Sequence, residues 1–128
     1  AMSRHDSGLL AEDRASDLVR ACRTTVGDQL RSITYFTPED YTQLYLRSDL
    51  SSDADLGSFV EHEAVGFEAH TYYRDSELGD YRYSIRVFEH GFLVRVTNGH
   101  EGVFMTTDGL TLRDFDEVAV AAGRILDR

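Results

Sequence analysis

Histidine and cysteine are the residues of this chain that most directly suggest metal or nucleophilic chemistry. His62 and Glu63 resemble the start of a zinc-protease motif, but the next histidine along the chain is His70. Such a motif needs two histidines one helical turn apart, so that both imidazoles reach one metal. Here the spacing is eight residues, or about 12 Å along a helix axis. The pattern therefore predicts no metal site, and His90 and His100 fall in turns at opposite ends of one predicted strand.

The only cysteine, Cys22, lies on the apolar stripe of a predicted helix. A small buried hydrophobe is the simpler interpretation of a cysteine in that position. The sequence contains no nucleophile elbow, no phosphate-binding loop and no dinucleotide fingerprint. We therefore predict no catalytic residue and no cofactor, which favours a non-enzymatic role.

The charge composition is extreme. Lysine is absent, and 13 arginines stand against 23 acidic residues, for a formal net charge of −10. Arginine is weakly hydrated and forms planar, bidentate pairs with carboxylates. At roughly 1 M salt the Debye length falls to about 3 Å, which screens the repulsion between exposed carboxylates. The composition indicates adaptation to a salt-rich cytoplasm, as in halophilic archaea.

This adaptation also affects the other signals in the sequence. Acidic clusters are expected on every solvated face, so they carry little information about metal binding or acid–base chemistry. The excess of acid argues against a nucleic-acid-binding role, which usually requires a basic patch. A single cysteine excludes an intrachain disulfide, and no apolar run reaches the length of a membrane span. We therefore expect a cytoplasmic protein without membrane association.

Length and composition predict a single domain with a hydrophobic core of its own. We expect residues 9–128 to form one α+β domain. Residues 1–8 are polar and predict a disordered tail, in which Ala1 precedes Met2 as an expression scar.

The first half of the chain predicts helices around one short strand. Apolar residues recur at helical spacing over residues 9–26 and predict an amphipathic helix. Residues 30–36 are rich in β-branched and aromatic types and predict a strand. Residues 37–40, with the sequence TPED, are typical of a helix start. Residues 51–73 predict a second middle helix, although residues 67–73 are also compatible with a strand.

The second half predicts a three-stranded antiparallel meander and a closing helix. Residues 81–88, 92–97 and 103–107 alternate apolar and polar side chains between glycine-containing turns. Thr111 then caps a helix with a regular apolar stripe. The predicted fold class is α+β: an N-terminal helix, a short strand, two middle helices, a three-stranded antiparallel meander and a C-terminal helix.

The alternation also predicts the register of the meander, because the apolar sides of its strands must share one face. Val87 then pairs with Val94, Val94 pairs with Met105, and Arg86 lies directly across from Arg95. The opposite side, which we name the Arg/aromatic face, combines arginines with large apolar residues. Its members are Arg82, Arg86, Phe88, Leu93, Arg95 and Phe104.

Three explanations account for the Arg/aromatic face, where like charges directly opposite one another are destabilising. The N-terminal helices cover part of it and pair their acids with its arginines. Alternatively it is an interface with a partner or a second copy, since arginine and aromatic residues are enriched at interface cores. The third explanation is an anion or nucleic-acid platform, which high salt disfavours.

A pocket between the meander and the middle helices is a second candidate site. Its lining consists of one histidine and four tyrosines: His70, Tyr72, Tyr73, Tyr81 and Tyr83. Such a pocket would suit a small-ligand sensor or an enzyme, whereas core packing is the simpler interpretation of Tyr81 and Tyr83.

Two stretches, GDQLRSITYFTPEDYTQLYLRSDL (27–50) and HGFLVRVTNGHEGVFMTTDGL (90–110), resemble a family of small conserved haloarchaeal proteins of unknown function. That resemblance implies no activity and transfers no functional residue. By element order the chain also resembles roadblock and longin-type adaptor domains, with one early strand where those domains have two. This second resemblance implies a regulatory module that dimerises through sheet and helix and binds GTPase partners.

Taken together, the residues favour a non-enzymatic cytoplasmic domain of a halophilic archaeon that acts through a protein partner or as a homodimer. A sensor or enzyme with the tyrosine-lined pocket is the first alternative. A nucleic-acid-binding module is the second.

Overall fold

The computed structural model describes residues 9–50, 75–109 and 112–127. Within these ranges two α-helices, α1 (Glu12–Val26) and α2 (Leu112–Leu126), and a short 3-10 helix (Gly27–Gln29) accompany five strands. The strands are β1 (Leu30–Phe36), β2 (Tyr41–Leu46), β3 (Tyr83–Phe88), β4 (Gly91–Thr97) and β5 (Gly102–Thr107). Neither of these helices is long and apolar enough to cross a membrane.

The strands form one antiparallel sheet with the order β2-β1-β5-β4-β3. Helices α1 and α2 pack against one side of this sheet, which we name the helix face, and bury a common apolar core. The core draws on both helices and on alternate residues of the three central strands: Leu18, Cys22, Val26, Ile33, Tyr35, Val94, Val96, Val103, Met105, Phe115, Val118 and Ala122. Among the described residues, this order leaves β2 and β3 at the two edges of the sheet.

The helices form where the apolar spacing predicts them. In α1 the buried residues Leu18, Cys22 and Val26 recur every four positions and face the sheet. The helix ends at Gly27, whose φ of 68° is a left-handed conformation that favours glycine. Helix α2 buries Phe115 and Val118 on its predicted stripe, while Thr111 lies outside the described residues.

The predicted helix start at residues 37–40 is wrong, because these residues form the turn between β1 and β2. The N–H of Thr37 donates to the carbonyl of Asp40 at 2.8 Å, and the N–H of Asp40 donates to Thr37 Oγ1 at 3.1 Å. Threonine and acidic side chains accept hydrogen bonds from main-chain N–H groups in turns as well as at helix starts, and proline fixes a φ that suits both.

The residues after this turn form a strand that resembles a helix in its apolar spacing. Ile33 pairs with Tyr45 while Thr34 pairs with Gln43, so Leu44 is the extra residue of a β-bulge. The bulge lets the consecutive residues Leu44 and Tyr45 both pack against the core. The bulge therefore interrupts the alternation of apolar and polar residues that would have predicted a strand.

The predicted fold class is consequently wrong in two respects. The structure contains a five-stranded antiparallel sheet, in which the three strands of the meander continue through β1 to β2. Of the two predicted middle helices, the first is replaced by a turn and β2. The second, over residues 51–73, lies outside the described residues.

The predicted register is correct between β4 and β5 but wrong between β3 and β4. Val94 does pair with Met105, whereas Val87 lies across from Phe92 instead of Val94. The error is two residues, which leaves every side chain on its predicted face. A two-residue turn, Glu89-His90, closes between Phe88 and Gly91 and sets the register.

Candidate interaction surface

The corrected register changes the centre of the Arg/aromatic face. Ser84, not Arg86, lies directly across from Arg95, and Arg86 lies across from Leu93. The predicted opposition of two arginines is therefore wrong. The face instead places a small hydroxyl side chain beside the buried guanidinium.

Arg95 is part of a buried polar cluster on this face. Only 5% of Arg95 is exposed, and its Nη2 donates to Tyr81 Oη at 2.9 Å and to Ser84 Oγ at 3.1 Å. The hydroxyls of Tyr81 and Ser84 also hydrogen-bond to each other. A charge removed from water needs such partners, because an uncompensated buried ion is strongly destabilising. The Arg95 side chain is therefore part of the buried interior.

The rest of the face divides into a closed centre and an open margin. Leu93 and Phe104 are fully buried, and Phe104 packs against Phe36 with ring centroids 5.8 Å apart. Helix α1 is not what closes this centre, since α1 packs on the helix face. Of the predicted face, Phe88 at the end of β3 remains exposed. Arg82, just before β3, is also exposed, but its guanidinium pairs with Asp116 of α2.

The predicted tyrosine-lined pocket has only two of its five residues in the described part of the chain. His70, Tyr72 and Tyr73 lie outside it. Tyr81 and Tyr83 line a groove of about 480 Å³, but α2 forms the other wall, with Val120 and Arg124 among its residues.

Tyr83 anchors one side of this groove through a small polar cluster. Its hydroxyl donates to Asp116 Oδ1 at 3.1 Å, and the Arg82 guanidinium lies 5.7 Å from its ring centroid. Arg82 and Asp116 form an ion pair at 3.3 Å. Burial and the hydrogen bond to Asp116 raise the pKa of Tyr83, so its hydroxyl stays a donor.

The two sheet edges differ in a way that bears on association. Edge strand β2 carries the bulge at Leu44, and bulges are one means by which proteins prevent edge-to-edge pairing. Edge strand β3 has no bulge, because all six of its residues pair regularly with β4. It also exposes apolar side chains, with Val87 75% and Phe88 46% exposed. A regular edge with exposed apolar residues is suited to pairing with another strand.

The pKa values of Cys22 and Glu101 are shifted by their surroundings within the fold. Burial raises the pKa of the Cys22 thiol to about 12, so the thiolate is not formed near neutral pH. Burial alone would raise the pKa of Glu101, but hydrogen bonds from Tyr35, Arg14 and Asn98 lower it overall. Sequence reasoning missed this carboxylate because two of its three partners, Arg14 in α1 and Tyr35 in β1, are far away in the sequence.

The sequence as a whole matches one established family. A model of the domain of unknown function DUF7522 matches residues 16–127. The chain belongs to this family. A comparison with curated proteins finds no significant match to this DUF7522 domain.

Two solved structures resemble the DUF7522 domain in fold. One is described as MglB with tetrameric arrangement, with 12% identity and a TM-score of 0.63 over 95% of this chain and 96% of that chain. The other is the gliding protein MglB from Thermus thermophilus, with 10% identity and a TM-score of 0.57 over the same shares. At these identities the likeness shows the fold alone. It confirms the resemblance to roadblock and longin-type domains that the order of elements predicts.

Proposed function

We propose that this chain is a non-enzymatic regulatory domain in the cytoplasm of a halophilic archaeon. The domain acts through protein contact and self-associates as a homodimer. The regular, apolar edge of β3 is the observation that carries the proposal. The roadblock-type fold supports it, because the resemblance implies a dimerising adaptor. A protein of the GTPase class is the regulated partner that the same resemblance implies.

The arrangement of the interior supports contact at an edge over contact through the sheet face. Leu93, Arg95 and Phe104, which would form the centre of a face-to-face interface, are buried within the chain. Val87 and Phe88 remain exposed at β3. A partner that buries them removes apolar surface from water, which contributes roughly 25 cal/mol per Å².

Salt is part of the proposal, because both copies carry a formal net charge of −10. Two such chains repel one another in dilute buffer, and the repulsion is screened at roughly 1 M salt, where the Debye length is about 3 Å. Apolar contact, in contrast, is strengthened by excluded salts. Association should therefore increase with salt concentration.

A pair of matched substitutions tests the proposal. Val87→Asp places a carboxylate on the β3 edge, whereas Leu78→Asp makes a similar change at a residue that is 98% exposed and precedes β3. We expect Val87→Asp to weaken dimerisation by at least about tenfold, or 1.4 kcal/mol, and Leu78→Asp to leave it unchanged. Sedimentation at high salt measures both. If the two variants dimerise equally well, the β3 edge is not the dimer interface.

A further inference from the structure

We propose that the groove between α1 and edge strand β2, which we name the α1/β2 groove, is the docking site for an amphipathic helix of a partner protein. The side of that helix that faces the groove combines apolar residues with carboxylates. The α1/β2 groove lies on the helix face, at the β2 edge of the sheet. The inference goes beyond the proposed function, because it assigns a second contact surface that does not depend on the homodimer.

The α1/β2 groove has a volume of about 710 Å³ and an apolar centre. Ala15 and Val19 line it from α1, and Leu44 lines it from β2. These three side chains pack against the core but are only partly buried. Leu44 reaches this face as the extra residue of the β-bulge, so the bulge also supplies apolar surface beside α1. An apolar occupant would remove this surface from water.

The wall formed by α1 fits a second helix. The α1 residues that line the groove recur every three or four positions from Glu12 onward and therefore form one continuous stripe. Ala15 and Ser16 are small, so a second helix axis can approach to about 8–10 Å. A helix satisfies its own main-chain hydrogen bonds. An extended segment in this position would bury unpaired N–H and C=O groups, because β2 directs its main-chain groups within the plane of the sheet.

Two arginines give the middle of the groove a positive charge, in a chain whose net charge is −10. Arg23 makes no ion pair with a described residue, and its guanidinium lies 5.2 Å from the ring centroid of Tyr45. Arg20 pairs with Asp17 at 3.4 Å, but its side chain is 75% exposed, and an exposed pair of this kind contributes little. Two carboxylates three or four residues apart on the docked helix would meet both guanidinium groups in charge-assisted hydrogen bonds.

The two ends of the groove carry the opposite charge. Glu12 lies at one end and Asp28 at the other, and neither side chain forms an ion pair with a described residue. Arginines near both ends of the docked helix would complete a charge order that is complementary to the groove. Ion pairs buried in such a contact are screened by salt less than exposed pairs are. Charge therefore selects among partners even in a salt-rich cytoplasm.

The length of the groove sets the length of the docked segment. Glu12 and Asp28 are 16 positions apart in the sequence, which corresponds to about 24 Å along a helix axis. A docked α-helix needs about 16 residues to cover that distance. An extended segment needs only about seven. The spacing of the contacts along the partner therefore distinguishes the two conformations.

Cross-linking from both ends of the groove tests the occupant with the full chain. Glu12→Cys and Asp28→Cys each carry a benzophenone maleimide at an exposed position, and the native Cys22 is buried and takes no label. The probe is a high-salt extract of the native cells, and mass spectrometry locates the cross-linked residues. We expect both labels to attach to one segment with the sequence pattern of an acidic amphipathic helix, at positions about 16 residues apart. Arg113→Cys, on the exposed side of α2, is the matched control and should not attach to that segment.

Charge reversal then tests the role of the two central arginines. Arg20→Glu together with Arg23→Glu should reduce the yield from labelled Glu12→Cys about tenfold, because two attractive contacts become repulsive. Arg113→Glu together with Arg124→Glu makes the same change of net charge at exposed positions of α2 and should leave the yield unchanged. Equal yields from the two double variants would overturn the charge complementarity on which the choice of occupant rests.

The positions of the cross-links decide between the proposed occupant and the others. Labels that attach about seven residues apart would overturn the helix in favour of an extended segment. Attachment to a second copy of this chain, or to nucleic acid, would overturn the partner helix. No attachment beyond that of the Arg113→Cys control would overturn the docking site. Sedimentation separately measures dimerisation, so a monomeric wild type would contradict the proposed function without affecting this result.

Discussion

Glu101 offers the sharpest test of how the helix layer is attached to the sheet. Its Oε1 accepts a hydrogen bond from Tyr35 Oη at 2.7 Å and lies 3.2 Å from Arg14 Nη2, and its Oε2 accepts from Asn98 Nδ2 at 3.2 Å. Arg14 Nη2 also donates to the carbonyl of Leu126 at 2.9 Å. The carboxylate thus connects both helices to β1 and to the turn before β5.

Glu101→Gln keeps the shape of the side chain and removes its charge. Hydrogen bonds to charged groups contribute about 1.5–3 kcal/mol, and neutral ones about 0.5–1.5 kcal/mol. The side chains of Glu101 and Arg14 are 18% and 24% exposed, so solvent screens the pair only partly. We expect the substitution to lower the free energy of unfolding by about 2 kcal/mol. Urea unfolding at high salt measures this change.

A matched control separates this effect from the removal of any carboxylate. Glu117 pairs with Arg113 at 3.2 Å on the exposed side of α2, where their side chains are 52% and 87% exposed. Such a pair is worth about 0.3–0.5 kcal/mol. Glu117→Gln should therefore change the free energy of unfolding by less than about 0.5 kcal/mol. Equal effects of the two substitutions would refute the reasoning.

The pH dependence provides an independent check on the same residue. Hydrogen bonds lower the pKa of Glu101 in the folded state despite its burial. A carboxyl with a lowered folded pKa contributes stability that is fully present above its unfolded pKa, about 4.3, and is lost as the pH falls through the folded pKa. The stability difference between wild type and Glu101→Gln should shrink on acidification below that range. A difference that stays constant would contradict the assignment.

Three other perturbations have defined outcomes. Arg95→Ala should lower the free energy of unfolding by about 3 kcal/mol, measured by urea unfolding, because it removes the buried hydrogen bonds to Tyr81 and Ser84 and leaves a cavity. The exposed Arg113→Ala should have an effect below about 0.5 kcal/mol. Cys22 should resist alkylation at about pH 8 in the native protein and react after unfolding, because the thiol is buried and its pKa is raised. Mass spectrometry measures the labelling, and labelling of the native protein would contradict this expectation. The melting temperature should fall on dialysis from molar salt into dilute buffer, because a net charge of −10 is then unscreened; calorimetry showing no fall would contradict adaptation to salt.

Sequence reasoning predicts the parts of the fold that carry one unambiguous local signal. Residues 30–36 are rich in β-branched and aromatic types, and they form β1 with the predicted bounds. The stripe that includes Cys22 predicts α1 up to Gly27. In both cases a single local pattern is sufficient.

The failures arise where one pattern fits two structures. The bulge at Leu44 gives β2 the spacing of a helix, and the turn before it uses residues that also begin helices. The register of β3 against β4 differs from the prediction by two residues, a change that a period of two cannot detect. Neither the role of Glu101 nor the exposed edge at Val87 follows from local sequence, because both depend on long-range topology.

The solution mass of the unmodified chain at high salt tests the central claim most directly. Sedimentation equilibrium over a concentration series at roughly 1 M salt should give twice the chain mass of 14.5 kDa. The dimer should dissociate as the salt is removed, because the repulsion between two acidic chains then increases. A mass of one chain at every protein and salt concentration would contradict self-association through β3.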